Sequence, residues 1–232
     1  MAHYRDDLAW IHQAGFSDFA RTAAPGVLAM LHAHGIDDGL IVEIGCGTGV
    51  LARALTDAGY DVLGVDASSA MIELARTTAP DARFEVSLFQ RVTLPKCNAI
   101  IAMGEVLNHG TMNDIRKFIA NASKALPPHG LLLFDVAERG AFPAHDEVRI
   151  GGDDWSVIIV KHSDGESLAR IVTIFRNVDG VVRRDMEAHA LALHARDELK
   201  EILHKRGFRV RVRRSYGSRR LPVGHAVYVA SR

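Results

Sequence analysis

Three glycines and two carboxylates in the first third of the chain have the types and spacing that nucleotide binding requires. Gly45, Gly47 and Gly49 follow an apolar run at every second position, and Glu43 lies within that run. This pattern predicts a buried strand that turns abruptly into a helix, exposing backbone N–H groups against which a ligand can lie. Asp66 stands twenty-one residues after Gly45, at the end of the next predicted strand. A carboxylate there can accept both hydroxyls of an unphosphorylated ribose, so the pattern predicts a nucleotide-like ligand.

The glycine spacing differs from the dinucleotide fingerprint G-x-G-x-x-G. That fingerprint would need its third glycine at position 50, where Val50 stands, and here the third glycine comes one place earlier, at Gly49. The spacing therefore argues against an NAD(P)-linked oxidoreductase, which stays open as an alternative function. A tight turn that binds no ligand would also explain the glycines, but the placement of Asp66 weakens that interpretation.

The elements that must position these residues alternate between helices and strands. An N-terminal helical region is predicted over about Asp6–His34, broken near Ala24-Pro25-Gly26. Five strands are predicted at Leu40–Ile44, Asp61–Val65, Arg83–Val86, Ala99–Met103 and Leu131–Val136. Helices are predicted between them at about Val50–Ala58, Ser69–Ala79 and Asn113–Ala125. Such alternation predicts a doubly wound parallel sheet of the α/β class.

After Val136 the pattern becomes antiparallel. Three β-rich runs are separated by turns that contain Asp-Gly, which is a hairpin signal. We interpret them as an antiparallel β meander inserted at residues 148–194 of a single domain. That domain spans residues 1–232 and begins with a helical cap over residues 1–38. The last predicted elements are a helix and two β runs, at Arg196–Arg206, Phe208–Tyr216 and His225–Ala230.

The composition is that of a globular protein without a charge bias. Lys+Arg and Asp+Glu are equal at 28 each in 232 residues, so no general attraction to nucleic acid or to an acidic membrane surface is expected. The N-terminal segment lacks the pattern of a secretory signal and the apolar runs are strand-sized, so we expect a cytoplasmic protein. Cys46 and Cys97 lie in apolar contexts typical of buried thiols rather than of a disulfide.

Three motifs together resemble the class I S-adenosylmethionine-dependent methyltransferases. They are Val42-Glu43-Ile44-Gly45-Cys46-Gly47-Thr48-Gly49, Gly64-Val65-Asp66-Ala67-Ser68-Ser69-Ala70-Met71 and, after the fourth strand, Gly104-Glu105-Val106-Leu107-Asn108-His109. The resemblance implies S-adenosylmethionine as cofactor and S-adenosylhomocysteine as product. It also implies a Rossmann-like sheet of seven strands in the order 3-2-1-4-5-7-6, whose last strand is antiparallel.

The resemblance further implies roles for residues at the cofactor. Glu43 would stabilise the glycine loop or reach the cofactor's amino group, Asp66 would bind the ribose, and Met71 would either flank the adenine or pack in the core. Many relatives carry an acidic residue after the third strand, whereas this chain has Ser87 and Leu88 there, which could contact the base. The predicted cofactor-binding residues are Glu43, Gly45, Cys46, Gly47, Gly49, Asp66, Ala67, Met71, Ser87, Leu88, Gly104 and Glu105.

The acceptor side is predicted from the residues after the fourth strand and from the N-terminal cap. Glu105, Asn108 and His109 lie at the same predicted sheet edge as the glycine loop. His109 could be a general base or could only orient its loop, and Glu105 could favour the positive charge of a sulfonium. The predicted catalytic residues are therefore His109 and Glu105. The predicted acceptor-binding residues are Tyr4, His12, Phe16, Asn108 and His109.

Two other groups of polar residues are interpreted as solvated surface. Glu187 and His189 share one face of a predicted strand and are expected to face solvent rather than the site. No metal site is predicted. Arginines near the C-terminus alternate with valines and predict the exposed face of an amphipathic strand rather than a nucleic-acid surface: Arg209, Arg211, Arg213, Arg214, Arg219 and Arg220.

The sequence leaves three functions open. The first is an S-adenosylmethionine-dependent methyltransferase that acts on a small-molecule acceptor by direct in-line transfer. Such an enzyme needs no catalytic triad because the sulfonium is already an activated leaving group. The others are an NAD(P)-linked oxidoreductase and a protein that binds the cofactor without turnover. The only partner expected is the small-molecule acceptor, with no nucleic acid or membrane, and the chain is expected to be a monomer or a homodimer.

Overall fold

The computed structural model describes residues 4–232. Residues 1–3, which the predicted cap and domain boundaries include, lie outside the described residues. The helices are α1 (Asp6–Ile11), α2 (Ser17–His32), α3 (Val50–Asp57), α4 (Ser69–Thr78), α5 (Met112–Ala125) and α6 (Arg196–Lys205). A π-helical turn (His12–Phe16) joins α1 to α2, and a 3-10 turn (Val106–His109) precedes α5. The strands are β1 (Leu40–Ile44), β2 (Asp61–Asp66), β3 (Arg83–Val86), β4 (Ala99–Ala102), β5 (Leu131–Ala137), β6 (His145–Gly151), β7 (Trp155–Ser163), β8 (Ser167–Val178), β9 (Val181–Ala192), β10 (Arg209–Arg213), β11 (Ser215–Tyr216), β12 (Arg219–Arg220) and β13 (His225–Ser231).

Seven strands form one sheet in the order β10-β13-β5-β4-β1-β2-β3. The first five strands of the chain pair in parallel, whereas β13 is antiparallel to both β5 and β10. In chain order this is 3-2-1-4-5-7-6, so the predicted fold and its antiparallel last strand are confirmed. All four residues of β4 are buried, as expected for a central parallel strand that is covered on both faces.

Helices cover both faces of this sheet with apolar side chains. Phe118 of α5 and Leu203 of α6 belong to the cluster on one face. Leu31 of α2 and Leu55 of α3 belong to the cluster on the other. Because both faces are filled, the carboxyl edge of the parallel strands is where a ligand can bind.

The N-terminal helical region is interrupted at a different place from the one predicted. Pro25 and Gly26 lie inside α2, which continues through them. A Cβ at Gly26 would lie 2.3 Å from the backbone of Tyr216, so the β11–β12 hairpin packs directly on α2 here. This packing offsets the hydrogen bond that Pro25 cannot make. The interruption falls instead in the π-helical turn, where a Cβ at Gly15 would lie 2.3 Å from the Trp155 ring.

The meander contains four strands, one more than predicted. Strands β6, β7, β8 and β9 pair in that order as consecutive antiparallel neighbours. Strand β6 is polar and alternates exposed with half-buried residues, so it carries little apolar signal in the sequence. The sheet packs on the N-terminal segment through five buried residues: Leu8, Ile11, Val157, Val172 and Ile174.

The predicted β run Phe208–Tyr216 divides into two strands. β10 stays in the large sheet as an edge strand, with exposed arginines alternating with half-buried valines as expected. β11 leaves that sheet and pairs with β12 in a short hairpin that the sequence did not predict.

Candidate functional site

The glycine loop after β1 forms a strand-to-helix turn at the carboxyl edge of the sheet. Gly45, Gly47 and Gly49 have φ angles of 70°, 52° and 79°, values that strain any residue with a Cβ. A Cβ on Gly45 would lie 2.3 Å from Val106, and one on Gly49 would lie 3.0 Å from Ala75 of α4. Gly47 has no such close neighbour. The glycines thus serve different ends: two permit close packing, and Gly47 keeps the space in front of the loop open.

Three N–H groups of this loop are used within the protein, contrary to the expectation that they are exposed to a ligand. The N–H groups of Gly45 and Cys46 both donate to the carbonyl of Val65, at 2.7 and 3.0 Å. The N–H of Gly47 donates to Oδ2 of Asp66 at 2.9 Å. These bonds fix the loop against the end of β2, so that its shape does not depend on a bound ligand.

A cavity of about 310 Å³ lies in front of the glycine loop. Most of the predicted site residues line it: Tyr4, His12, Glu43, Gly45, Cys46, Gly47, Asp66, Ala67, Met71, Ser87, Leu88, Gly104 and His109. Four predicted residues do not line it, namely Phe16, Gly49, Glu105 and Asn108. Phe89, expected to pack beside the base, also lines it, and the sequence reasoning missed several other residues that do: Ser17, Phe19, Ala20, Ile44, Thr48, Val50, Gln90, Met103 and Val106. Many of these are neighbours of predicted residues, so a motif read as a continuous segment would have found them.

Glu43 is a buried carboxyl in the cavity wall with unused hydrogen-bonding capacity. Its side chain is 3% exposed, and its Oε2 has no hydrogen-bond partner in the part of the chain that the structure describes. Burial and then the charge of nearby Asp66 raise the pKa of the Glu43 carboxyl to about 8. Because buried polar atoms are normally satisfied, this oxygen has room for a hydrogen-bond partner that the described residues do not supply.

Asp66 is held in place by backbone groups at the carboxyl end of β2. Its Oδ2 and Oδ1 accept from the N–H groups of Gly47 and Ser68, each at 2.9 Å. The hydroxyl of Ser68 caps α4 by accepting from the N–H of Met71 at 3.2 Å, and it donates to the carbonyl of Tyr4 at 2.8 Å. One turn therefore orients the Asp66 carboxylate and Met71, and anchors the N-terminal segment above them.

The segment after β3 supplies another wall of the cavity. Phe89 is buried and packs edge to face on Phe118, with ring centroids 5.8 Å apart. The side-chain amide of Gln90 donates to the carbonyl of His109 at 3.3 Å. Gln90 thus brings a polar amide to the cavity two to three residues after Ser87 and Leu88, a place that the sequence reasoning did not consider.

Glu105 lies outside the cavity wall in a part-buried ion-pair cluster. Its Oε2 accepts from Arg170 of β8 at 2.8 Å, and its Oε1 lies 2.6 Å from Nε2 of His225 in β13. Burial alone would raise the pKa of the Glu105 carboxyl, but Arg170 and His225 outweigh it and lower that pKa to about 2. Nδ1 of His225 lies 3.2 Å from the carbonyl of Val223, so both ring nitrogens face acceptors, an arrangement that favours the protonated imidazolium.

Burial lowers the pKa of His225, but the hydrogen bond with Glu105 raises it more, so the net shift is upward. The cluster joins three distant segments: the loop after β4, the meander and the last strand. Glu105 is therefore a structural carboxylate in this arrangement, with both oxygens engaged, rather than a residue that meets the acceptor.

Asn108 is fully buried in the 3-10 turn and does not reach the cavity. Its Nδ2 donates to the carbonyls of Ala137 and Ala192, at 2.9 and 2.6 Å, and its Oδ1 accepts from the N–H of Ala137 at 3.0 Å. The amide therefore holds the turn against β5 and β9. The predicted contact with an acceptor gains no support, because the polar atoms of this side chain are already satisfied inside the protein.

Aromatic and imidazole rings from three segments meet beside the cavity. The ring of Tyr4 lies 5.7 Å from that of His12 and 5.2 Å from that of His189, and His189 lies 6.2 Å from His109. Nδ1 of His12 has no hydrogen-bond partner among the described residues. Burial lowers the pKa of His12 to about 4, so its imidazole is neutral at neutral pH. Phe16 packs behind His12, with centroids 6.0 Å apart, which explains why it does not line the cavity itself.

Glu187 and His189 face inward, so the expectation that they face solvent is wrong. Both are 5% exposed. Glu187 accepts from the backbone N–H groups of Tyr4 and Arg5, at 3.0 and 2.8 Å. Strand β9 presents this face to an N-terminal segment more than 180 residues away in sequence, a contact that strand periodicity cannot reveal.

Residues 4–232 lack two further kinds of feature. They contain no group of three or more His, Cys, Asp or Glu side chains that could hold a metal ion. None of the helices formed by residues 4–232 is long and apolar enough to cross a membrane.

Comparisons with known proteins agree on one family. Residues 41–130 match the family model of a methyltransferase domain. A protein of Geobacillus sp. (strain WCH70), assigned by name as a methyltransferase, is 28% identical over 185 residues, which cover 73% of this chain and 74% of the relative. The match to a ubiquinone biosynthesis O-methyltransferase of Rickettsia akari is 27% identical and covers 43% of this chain and only 40% of that protein.

Solved structures show the same fold at low sequence identity. An S-adenosylmethionine-dependent methyltransferase from Clostridium acetobutylicum superposes with a TM-score of 0.81 at 14% identity, covering 91% of each chain. The sugar N-methyltransferase KedS8 from Streptoalloteichus superposes with a TM-score of 0.78 at 18% identity, covering 100% of this chain and 96% of that one. At these identities the likeness concerns the fold alone.

Proposed function

The chain belongs to the class I S-adenosylmethionine-dependent methyltransferases, and we propose that it methylates a small-molecule acceptor by direct in-line transfer. The observation that carries this proposal is the concave cavity of about 310 Å³, which is bounded by the N-terminal segment as well as by the sheet edge. A cleft of this size and shape is typical of sites that bind small molecules. The sugar N-methyltransferase among the similar structures supports the same class of acceptor.

The residues in the cavity wall fit S-adenosylmethionine, which is the cofactor of this family and supplies a methyl group activated by its sulfonium. Glu43 would accept from the amino group, since its unpartnered oxygen requires a donor. Asp66, fixed by two backbone N–H groups, would accept from the ribose hydroxyls. Ser87, Leu88 and Gln90 would border the base. The wall thus offers polar partners to each polar part of the cofactor.

On the acceptor side we assign the general base to His109, for an acceptor whose nucleophile carries a proton. Two imidazoles line the cavity, those of His12 and His109. The pKa of His12 is lowered to about 4 by burial, which makes it a weak base at neutral pH. Glu105 is a weaker candidate still, because both of its oxygens bind cations and its pKa is about 2. His12 and Tyr4 would instead pack against the acceptor and exclude water.

Two measurements test this function. S-Adenosylhomocysteine should raise the melting temperature of the protein, and NAD should not; stabilisation by NAD alone would favour the oxidoreductase. Labelled S-adenosylmethionine should then transfer its methyl group to members of a panel of small amines and alcohols, but not to RNA or to denatured protein. Binding of S-adenosylhomocysteine without transfer to any acceptor would support a binding protein without turnover. His109→Gln should lower transfer and leave S-adenosylhomocysteine binding unchanged.

A further inference from the structure

The four-stranded meander sheet has an inner face that packs on the N-terminal segment and an outer face that contributes to none of the apolar clusters formed by the described residues. The outer face carries the large apolar side chains Ile158, Val160, Ile171, Phe175 and Met186. None of them belongs to the apolar clusters of the core that residues 4–232 form. Met186 is 55% exposed. A contiguous apolar face of this kind marks an interaction surface.

Strand register arranges the outer face in rows that run across the four strands. One central row contains Arg149, Ile158, Thr173 and Met186. The other central row contains Glu147, Val160, Ile171 and Ala188. Beyond the first lies a row with Ser156, Phe175 and Arg184, and beyond the second a row with His145, His162, Ala169 and Ala190. A fifth row, Asn177 and Val182, lies at the tip of the β8–β9 hairpin.

The face is large enough for a stable interface. Four strands about 4.8 Å apart and five rows about 6.7 Å apart make a flat surface of roughly 600 Å². Side-chain relief increases the accessible area of such a surface, and a standard interface buries about 800 Å² on each partner. The outer face alone therefore supplies most of the area that a dimer needs.

We propose that this outer face is a homodimer interface whose twofold axis runs across the strands, midway between the two central rows. That rotation places each central row over the other one in the second copy. Arg149 then lies over Glu147 at the β6 edge, and Ile158 lies over Val160. Strands of the two sheets remain aligned, as in the common sandwich packing.

Side-chain sizes and charges favour a second copy as the occupant. Under the same rotation, Met186 lies over Ala188, Phe175 over Ala169 and Arg184 over Ala190, so these three large side chains each meet an alanine. The two ends of the Glu147–Arg149 pair, 2.8 Å apart within one copy, each meet the opposite charge in the other. A membrane surface would instead need an excess of basic residues, which the central rows lack.

The interface would also stabilise the strands whose opposite face holds the N-terminal segment over the cavity. The inner faces of β7, β8 and β9 hold the N-terminal segment through Val157, Val172 and Glu187. A second sheet packed on the outer face would limit bending of these strands, and so would hold that segment over the cavity.

The oligomeric state tests the surface. Sedimentation velocity should show a dimer for the full chain, and Ile158→Lys should raise the dimer dissociation constant at least tenfold because it buries a charge at the centre of the interface. Val223→Lys is the matched control: Val223 is 85% exposed and lies off this face, so that variant should remain a dimer. Circular dichroism and S-adenosylhomocysteine binding confirm that both variants are folded. A monomeric wild type, or a dimer that Ile158→Lys leaves intact, would overturn the proposal.

A charge exchange tests the position of the axis. Glu147→Lys puts two positive charges on the β6 edge and Arg149→Glu puts two negative charges there, so each variant alone should dimerise more weakly than wild type. A mixture of the two should form heterodimers in preference to either homodimer, because every cross-interface pair is then of opposite charge. Native mass spectrometry of an isotope-labelled mixture measures this preference. A statistical mixture of dimers would exclude this axis.

Discussion

Two glutamates, the buried Glu43 at the end of β1 and the part-buried Glu105 after β4, have pKa values shifted in opposite directions. Glu43 has one oxygen without a partner in the described chain, and its pKa is raised to about 8. Glu105 binds Arg170 and His225, and its pKa is lowered to about 2. Both were predicted to contact the cofactor, and only Glu43 lines the cavity.

The difference lies in what each carboxyl can still bind. A buried carboxylate with two cationic partners has its charge compensated by the fold and contributes to stability. A buried carboxyl without such partners destabilises the free protein. A cationic ligand that pairs with the carboxyl removes this destabilisation. The comparison therefore separates a group that holds the structure together from one that remains available to a ligand.

The largest expected effect is the loss of stability when Arg170, a partner of the structural carboxylate Glu105, is removed. Arg170→Met leaves the part-buried Glu105 carboxylate with one cation fewer, so the free energy of unfolding should fall by about 3 kcal/mol in urea titrations. Arg53→Met is the control, since its ion pair with Asp57 is exposed and should contribute little. Equal losses in the two variants would show that the Glu105 cluster is not a special source of stability.

Acid titration should detect the lowered pKa of Glu105. Its folded pKa of about 2 lies below the ordinary 4.5, so its contribution is fully present above pH 4.5 and is lost as the pH falls toward 2. The shift corresponds to about 3 kcal/mol. Glu105→Gln should therefore flatten the decline of the unfolding free energy in this window. If the unfolding free energy of Glu105→Gln declines as steeply as that of the wild type, other carboxyls cause the acid destabilisation.

Cofactor binding should detect the raised pKa of Glu43. At pH 7 the free protein holds a proton on this carboxyl, and an ammonium group beside it favours the carboxylate, so S-adenosylhomocysteine should bind with release of nearly one proton. Calorimetry in buffers of different ionisation enthalpy measures the release. Glu43→Gln should abolish it and weaken binding by about 1.5–3 kcal/mol.

The control for that experiment is 5'-methylthioadenosine, which lacks the amino acid part of the cofactor. Its affinity should be the same for wild type and Glu43→Gln, and its binding should release no proton from this site. Equal weakening of both ligands would mean that the substitution disturbs the cavity as a whole.

Substitution of Asp66 should have the smallest effect on S-adenosylhomocysteine affinity. It also tests how far the charge of Asp66 raises the pKa of Glu43. Asp66→Asn removes the charge that helps to raise the pKa of Glu43, so the proton release should become smaller. The lost charged hydrogen bonds to the ribose should weaken S-adenosylhomocysteine binding by about 1 kcal/mol. Unchanged affinity in the same calorimetry would refute the ribose assignment.

The cofactor half of the cavity was largely predictable because its residues are close in sequence. Glu43 and Gly47 lie in one strand-to-helix turn, and Asp66 ends the next strand, so the βαβ unit alone brings them together. The strand order followed from the family resemblance to these same motifs. Such local patterns can be recognised in the sequence because the backbone geometry of a turn restricts which residues can occupy it.

The acceptor half was less predictable because distant segments build it. Phe16 was expected at the cavity but lies at the end of the π-helical turn and packs behind His12. Glu187 was expected at the surface but accepts from Tyr4, a partner 183 residues away. Glu105 follows the fourth strand, a position that predicts contact with the cofactor. Its actual partners, Arg170 and His225, come from β8 and β13.

The sequence by itself determined the α/β sheet and the glycine loop, because turn geometry and strand periodicity are local and each glycine is needed where φ is positive. The methyl donor followed from the resemblance of its motifs to a known family. Only the tertiary structure decided which glutamate carboxyl is available to a ligand and which already binds cationic side chains of the protein. The reason is physical: the pKa and the role of a buried charge depend on the partners within a few ångströms, and long-range packing brings those partners.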